Sequence, residues 1–195
     1  MVRARAAARE NQAYPRKPGE GVAELLYDAR MASADEVIER LGLKAHHEGG
    51  FYAETFRAEA LPRALPGQAE RSASTAIYFL LRAQDFSALH VVSSADEVWH
   101  HYFGDALELH CFDALGRHRQ VRLGSVFAAG ERPQHVVLRG ELQAARVTAG
   151  PHGFALCGCT VAPGFDFADF RMPGRAELLA RLPQHGELVT ALTRG

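Results

Sequence analysis

Nine short runs of strand-forming residues follow one another between residues 50 and 162, and most of the gaps between them contain Gly, Pro or Asp. Short strands at this spacing are typical of a β-sandwich or a β-barrel, in which each strand crosses the domain once before a turn. The sequence therefore predicts strands over 50–57, 74–81, 86–92, 97–103, 105–112, 118–123, 134–138, 142–148 and 154–162.

Helical patterns flank the strands. Ser33 and Glu36 have the spacing of a capping box, and Gly42 is suited to end the helix that they begin. A second helix is predicted over 175–182, where Pro183 ends it. We therefore expect one all-β domain with short flanking helices over 33–194, preceded by a partly disordered basic tail (1–32) with a short helix near 20–30.

Composition excludes several classes of protein. The 195 residues are 47% hydrophobic and 23% charged, which is typical of a globular chain. No apolar run is long enough to span a membrane, and a net charge of −1 does not favour binding to nucleic acid. The N-terminus lacks the apolar stretch of a secretory signal, and three Cys without a paired framework fit a reducing compartment. We expect a cytoplasmic protein with no nucleic-acid or membrane partner.

Two of the ten His, His90 and His101, stand at the ends of a segment that is rich in polar and aromatic residues. This segment is the candidate functional site. Strand alternation puts Glu97, Trp99 and His101 on one face of a single strand. Inside a barrel, a face with a carboxylate, an indole and an imidazole predicts a ligand pocket rather than a packed core. An exposed hairpin with scattered polar residues is the alternative.

The spacing of this group matches a known motif in part. His90, Glu97 and Gly104 occupy the positions of a His, a Glu and a Gly in the first motif of the cupin superfamily, but Val92 replaces the second His. In the second cupin motif Gly140 is in register, and Gln143 replaces the His there. Four longer stretches resemble a small cupin family of the cupin-5 type: 46–57 (HHEGGFYAETFR), 71–81, 129–134 and 158–170 (GCTVAPGFDFADF).

The resemblance covers about 33–194. It implies a double-stranded β-helix, or jelly-roll barrel, that forms a homodimer and encloses a pocket. The architecture is similar to that of sugar-nucleotide epimerases, so the implied ligand is a small polar metabolite, either sugar-like or carboxylated. The resemblance does not supply a reaction, because one fold supports many chemistries.

A divalent metal ion is one interpretation of the pocket. Standard cupins hold a metal with three His and one Glu, and this chain offers His90, Glu97 and Gln143 at three of the four positions. Val92 cannot coordinate a metal, so the site would be weak unless His101 replaced the missing ligand.

The metal-free interpretation is an isomerase or epimerase, in which His90 is the general base, Glu97 orients it, and Tyr78 or Tyr52 is the acid. Decarboxylase, lyase or oxygenase chemistry is a further alternative. So is a non-catalytic cupin that binds or senses a small molecule, and so is a scaffold whose pocket is vestigial.

Several other residues have two interpretations. Arg57 either clamps an anionic ligand or pairs with Glu54 or with a carboxylate of the last loop. Trp99 either stacks on a ligand or fills the barrel, and one of Ser74 and Thr75 is expected to face the pocket.

The segment 164–170 alternates Phe with Asp, which predicts a loop anchored by its aromatic rings, with Asp166 and Asp169 as capping carboxylates. The remaining histidines have no evident partner and are interpreted as surface or turn residues: His110, His118, His152 and His185.

Overall fold

A computed structural model describes residues 33–60 and 71–194 of the chain. The predicted basic tail and its helix near 20–30 lie outside the described residues. All nine predicted strands are present, most within two residues of their expected bounds, and the fold is mostly β with a few short helices.

The described part contains three α-helices and eleven β-strands in the following order: α1 (Ala34–Leu41), β1 (Lys44–Ala45), β2 (Phe51–Arg57), β3 (Thr75–Arg82), β4 (Phe86–Val92), β5 (Asp96–Gly104), β6 (Leu107–Phe112), β7 (His118–Leu123), β8 (Gln134–Val137), β9 (Leu142–Val147), β10 (Phe154–Ala162), β11 (Phe170–Arg171), α2 (Arg175–Arg181) and α3 (Gly186–Ala191). None of these helices has the length or the apolar character that crossing a bilayer requires.

The strands form two antiparallel sheets. The larger has the order β1-β2-β3-β10-β5-β8, and the smaller has the order β11-β4-β9-β6-β7. Strand β10 lies between β3 and β5, and its residues pair with both neighbours over almost its whole length. Consecutive strands therefore lie in different sheets at several points, which is the connectivity of a jelly roll.

The predicted first helix is confirmed together with its signals. The Ser33 hydroxyl accepts from the Glu36 backbone N–H, and the Glu36 carboxylate accepts from the Ser33 backbone N–H, so the capping box is complete. Gly42 ends the helix in the left-handed conformation at φ 63°. The apolar face of α1 packs on the outer side of the larger sheet, next to Leu80 and Phe154.

The interior between the sheets divides into two halves. At one end, side chains from both sheets form a dry core that includes Phe79, Leu81, Trp99, Leu109 and Cys157. At the other end the same strands present shorter or polar side chains. A cavity therefore opens where the packing of large apolar residues stops.

The C-terminal helices cover the outer face of the smaller sheet. Leu178 and Leu182, from α2 and the residue after it, pack with Val189 of α3 on Phe112 and Leu142 of the sheet. The sequence predicted α2 but not α3, whose six residues are too few for a clear helical period.

Three histidines that the sequence placed on the surface or in turns lie together next to these helices, and one of them, His185, is part of the turn that connects α2 to α3. His110 is only 2% exposed, and its Nδ1 is 3.1 Å from Nε2 of His118. The His118 ring lies 5.2 Å from that of His185. The prediction was wrong for His110 because Leu109 and Cys111 face the core, so His110 faces the side that the helices cover. His152 is exposed in a turn, as predicted.

We expect His110 to make the fold sensitive to acid. Burial lowers the pKa of His110 to about 4, with help from His118 and Arg146 and against the effect of Glu108. The unfolded chain has an ordinary His pKa of about 6.5 and therefore binds more protons between these values. The free energy of unfolding should fall as the pH drops from about 6.5 towards 4.

His110→Gln should reduce this pH slope, measured as the difference between urea midpoints at neutral and at mildly acidic pH. The exposed His152→Gln is the matched control and should keep the slope of the natural chain. An unchanged slope in His110→Gln would contradict the assignment.

Candidate functional site

The cavity lies at the polar end of the barrel and has a volume of about 290 Å³. This is room for a small metabolite, since a water molecule takes up about 30 Å³ of liquid. Five strands, the turn between β1 and β2, and the segment 163–170 surround it. Its wall consists of His46, Glu48, Tyr52, Glu54, Arg57, Thr75, Ile77, Phe79, His90, Val92, Glu97, Cys159, Val161, Phe165, Asp166, Phe167 and Phe170.

Glu48 is the central polar group of this wall and is 6% exposed. Its Oε1 accepts a hydrogen bond of 2.8 Å from the Ser87 hydroxyl. Its Oε2 lies 3.4 Å from Nδ1 of His46 and 3.4 Å from Nε2 of His90. Burial raises the pKa of Glu48, while His46 and the Ser87 hydrogen bond act in the opposite direction.

The turn before β2 holds Glu48 in place. Its carbonyl accepts from the Ala88 backbone N–H at 2.8 Å, which ties the turn to β4. Gly49 has φ 116°, and a Cβ there would lie 2.1 Å from the Phe86 carbonyl oxygen. Only glycine therefore allows the turn to approach β4 so closely, which brings Glu48 within reach of Ser87.

His90 has a defined protonation pattern. Its Nδ1 lies 2.8 Å from the Ala88 carbonyl oxygen, which can only accept, so Nδ1 carries the hydrogen. Burial lowers the pKa of His90, and the charge of Glu97 partly opposes this effect. The ring is therefore neutral at physiological pH, and its Nε2 directs a lone pair towards Glu48 and the cavity.

Glu97 belongs to a second hydrogen-bonded chain. The Trp99 indole N–H donates to Oε1 of Gln143 at 2.9 Å, and Nε2 of Gln143 donates to Oε2 of Glu97 at 2.5 Å. An indole only donates, so the orientation of the Gln143 amide follows from this contact. Burial raises the pKa of Glu97, while His90 lowers it and Glu48 raises it further. The Cys159 thiol is also hydrogen-bonded to Glu97.

The predicted metal ligands do not fit a metal ion. The Gln143 oxygen faces Trp99, its NH₂ group faces Glu97, and the residue is not part of the cavity wall. Among the described residues, no group of three or more His, Cys, Asp and Glu side chains is placed to hold a metal. The set of His90, Glu97 and Gln143 is therefore not assembled as a metal centre.

The structure brings five of the predicted site residues together. His90, Glu97, Tyr52, Arg57 and Thr75 all line the cavity. Of the two candidates at 74 and 75, Thr75 faces inward, and its hydroxyl accepts from the Phe165 backbone N–H at 3.0 Å.

The Arg57 guanidinium is hydrogen-bonded to other groups of the protein. Its Nε and Nη2 donate to the Glu54 carboxylate at 2.9 and 2.6 Å, and its Nη1 donates to the Phe165 carbonyl at 3.1 Å. The predicted pair with Glu54 is confirmed. The bidentate edge that would clamp an anionic ligand is therefore occupied.

Tyr78 does not reach the cavity. Ile77 and Phe79 line it, so strand alternation puts Tyr78 on the outer face of β3, where its ring lies 6.1 Å from that of Tyr102. The candidate acid that remains is Tyr52, whose ring is 4.6 Å from the His46 ring.

Trp99 and His101 also lie away from the cavity, although they share the inner face of β5 with Glu97. Trp99 is 1% exposed and packs edge-on against Phe79 in the dry core, so it fills the barrel. His101 lies still further along the strand, where its Nε2 donates to the Asp105 carbonyl at 3.1 Å. The shared face is as predicted, but only its first residue reaches the polar end.

The loop over 163–170 is anchored partly as predicted, since Asp166 is a capping carboxylate, whereas Asp169 pairs with Arg71 rather than capping the backbone. Asp169 accepts from Nε and Nη2 of Arg71 at 2.7 and 2.9 Å and from the Ser94 hydroxyl at 2.7 Å. Asp166 caps the Ala168 backbone N–H at 2.8 Å. The rings of this loop also form part of the cavity wall, which was not predicted: Phe165, Phe167 and Phe170.

His46 and Glu48 are the functional candidates to which the sequence assigned no role. They stand in the segment 46–57, which carried the family resemblance. The available signal was that these two polar side chains precede the Gly49-Gly50 pair, which is typical of a turn. Nothing in the sequence indicated that this turn lies against His90.

Comparison with known proteins agrees with this architecture. The family model described as "Cupin superfamily (DUF985)", Cupin_5, matches residues 35–173. The chain is 38% identical to the crystallised protein SO0799 from Shewanella oneidensis, with a TM-score of 0.76, covering 84% of this chain and 99% of that one.

A hypothetical protein from Leishmania major is 32% identical, with a TM-score of 0.78, and the match covers 84% of this chain and 100% of that one. None of the curated proteins searched matches the chain. On the family match and these two relatives, the chain belongs to the Cupin_5 (DUF985) family of the cupin superfamily.

Proposed function

We propose that the chain binds a small polar metabolite in the barrel cavity and moves a proton on it, as an isomerase or epimerase does. The observation that carries this proposal is the Glu48 carboxyl, which lies between the imidazoles of His46 and His90 in a buried cavity wall. Titratable groups whose pKa values are shifted by burial and that meet in a cavity are typical of acid–base sites.

His90 is suited to be the general base. The Ala88 carbonyl fixes its tautomer, which leaves Nε2 free to accept a proton from the ligand. The sequence pattern predicts that Glu97 orients the His90 ring. In the described part of the chain, however, no ion pair joins His90 to Glu97. Glu48 is the nearer carboxyl, at 3.4 Å, and Glu97 acts on His90 through its charge.

The reaction would balance without a co-reactant. Nε2 of His90 takes a proton from a carbon next to a carbonyl group, and the electron pair moves onto the carbonyl oxygen. Return of the proton to the opposite face of that carbon gives an epimer, and its return to the neighbouring carbon gives an isomer. Tyr52 is the group in the wall that we assign to donate a proton to the oxygen.

The test combines binding and exchange. A library of sugars, amino sugars, hydroxy acids and amines is screened by thermal shift, and compounds that bind are incubated with the protein in D₂O. NMR then follows the loss of carbon-bound protons. We expect exchange with the natural chain and a rate about 10²- to 10⁴-fold lower with His90→Gln, because general-base catalysis typically contributes that factor.

His101→Gln is the matched control, since it removes an imidazole outside the cavity and should leave the exchange rate unchanged. The acid limb of the pH profile should lie below the usual His range, because burial lowers the pKa of His90. A compound that binds in the cavity without proton exchange would instead support the alternative of a non-catalytic binding cupin.

We also propose a homodimer formed through the outer face of the larger sheet. Cross-strand register places Phe56, Ala76, Thr160, Val98 and Val136 in one row on that face. The row contains no charged residue, and its ends are well exposed, at 50% for Phe56 and 42% for Val136. An uncharged sheet face can pack against its own copy across a two-fold axis.

Light scattering should therefore give twice the chain mass at micromolar concentration. The double substitution Phe56→Glu with Val136→Glu should give the mass of one chain, because burying four like charges in a symmetric interface is unfavourable. Leu115→Glu places the same charge in an exposed turn away from this row and should leave the dimer intact. A monomeric natural chain would refute the proposal.

A further inference from the structure

The charged side chains of the cavity are mostly acidic. Its wall contains four carboxyl groups, Glu48, Glu54, Glu97 and Asp166, and a single cationic side chain, Arg57. Arg57 is paired with Glu54, so that pair adds little net charge. The two histidines of the wall, His46 and His90, are held towards their neutral forms because burial lowers their pKa values. Asp166 is close enough to Arg57 and Arg71 to interact with their charges. Among the described residues of the wall, Glu48 and Glu97 therefore remain without a cationic partner.

Glu48 and Glu97 are the deeper of these carboxyls, and neither carboxyl group forms an ion pair with an Arg or Lys side chain in the described part of the chain. Arg194 lies close to Glu48, but its Nη2 donates to the Glu48 backbone carbonyl, at 3.0 Å, and not to the carboxyl group. The Glu48 carboxyl receives one hydrogen bond, from the neutral Ser87 hydroxyl. Its Oε2 has no hydrogen bond in the described part of the chain, only two imidazole nitrogens at 3.4 Å. Glu97 is bonded by a neutral amide and a neutral thiol. Burial raises the pKa of both carboxyls, because a buried carboxylate without a cationic partner is costly. A positively charged ligand would offset this cost, favour the ionised forms of Glu48 and Glu97, and be stabilised by them.

Aromatic rings make up much of the remaining wall. Tyr52 and Phe79 lie on the strands, and Phe165, Phe167 and Phe170 lie on the closing loop. The Phe165 and Phe167 ring centroids are 5.1 Å apart and nearly perpendicular, and Phe170 is 6.0 Å from Phe165. Several rings set at an angle around one space, together with carboxylates, are the arrangement that recognises ammonium groups through cation–π contacts.

We infer that the ligand of this cavity is a small organic cation, a molecule with a protonated amine or a quaternary ammonium group. This inference rests on the proposed function, since it names the class of molecule that the same cavity takes. It proposes a different class of ligand from the carboxylated one that the family resemblance implied. A carboxylate would enter a wall that already has an excess of carboxyl groups, and the guanidinium edge that could receive it is taken by Glu54.

Two series of size-matched probes test the charge of the ligand. The first is choline, its neutral isostere 3,3-dimethylbutan-1-ol, and the anion 3,3-dimethylbutanoate. The second is glucosamine, glucose and glucuronate. Calorimetry on the full chain should give an affinity for the cation of at least one series that is about tenfold or more above that of its neutral partner. Cation–π and carboxylate contacts of ordinary strength give such a factor. The anions should not bind measurably.

Variants connect this preference to the cavity. Glu48→Gln and Glu97→Gln each keep the size of the side chain and remove its charge, so each should lower the cation-to-neutral ratio several-fold. Phe167→Leu should do the same through loss of a ring. Glu108→Gln, on the outer face and paired with Arg146, is the control and should not change the ratio. Circular dichroism and the thermal midpoint of each variant show that it is folded.

The outcomes separate this inference from the proposed function. Neutral or anionic probes that bind as tightly as the cations would overturn the inference and leave a binding cavity in place. The inference would also be overturned, and the binding cavity kept, if choline and glucosamine do not bind while other neutral or anionic members of the library bind in the cavity. If no compound of the library binds, both the proposed function and this inference would be overturned. Cation binding that Glu48→Gln and Glu97→Gln both leave unchanged would place the cation elsewhere and also refute the inference.

Discussion

The antiparallel pairing of β10 with β3 on one side and β5 on the other is the constraint on which the rest of the structure depends. It aligns Val161, Cys159, Cys157 and Ala155 with matching inward positions of both neighbours, so one shared inner face runs the length of the barrel. Side-chain size then changes along that face. Large apolar residues fill one end, and polar or smaller residues leave about 290 Å³ open at the other.

Two hydrogen-bonded chains meet at the open end and differ in their origin. The Trp99–Gln143–Glu97 chain joins the two sheets, because Gln143 belongs to the smaller sheet and the other two residues belong to β5. Glu48, with Ser87 and the two imidazoles, joins a turn to β4. Each chain ends at a carboxyl group in the cavity wall, Glu48 in one and Glu97 in the other. Two buried carboxyl groups therefore lie in one small cavity. A cationic ligand would be the positively charged partner that these two carboxyl groups do not have in the cavity wall.

The fold was largely predictable because alternation and turn residues are local signals. All nine strands, α1 and α2 followed from them, whereas β1, β11 and α3 were too short to leave a pattern. The site was only partly predictable. Alternation correctly placed Glu97 inside, but it could not show that Trp99 and His101 lie beyond the cavity on the same strand. It also could not separate Tyr78 from Tyr52 until the register of β2 with β3 was known.

The sequence by itself determined where the strands lie along the chain, the resemblance to the family, and the face that Glu97, Trp99 and His101 share, since these depend on local periodicity and on motifs within single segments. Only the tertiary structure decided which inward residues share the cavity, that Glu48 rather than Glu97 is next to His90, and that Gln143 serves the hydrogen-bonded core rather than a metal. The physical reason is that these contacts join segments 39 to 46 residues apart in the chain, and the distance between such segments is set by packing of the two sheets.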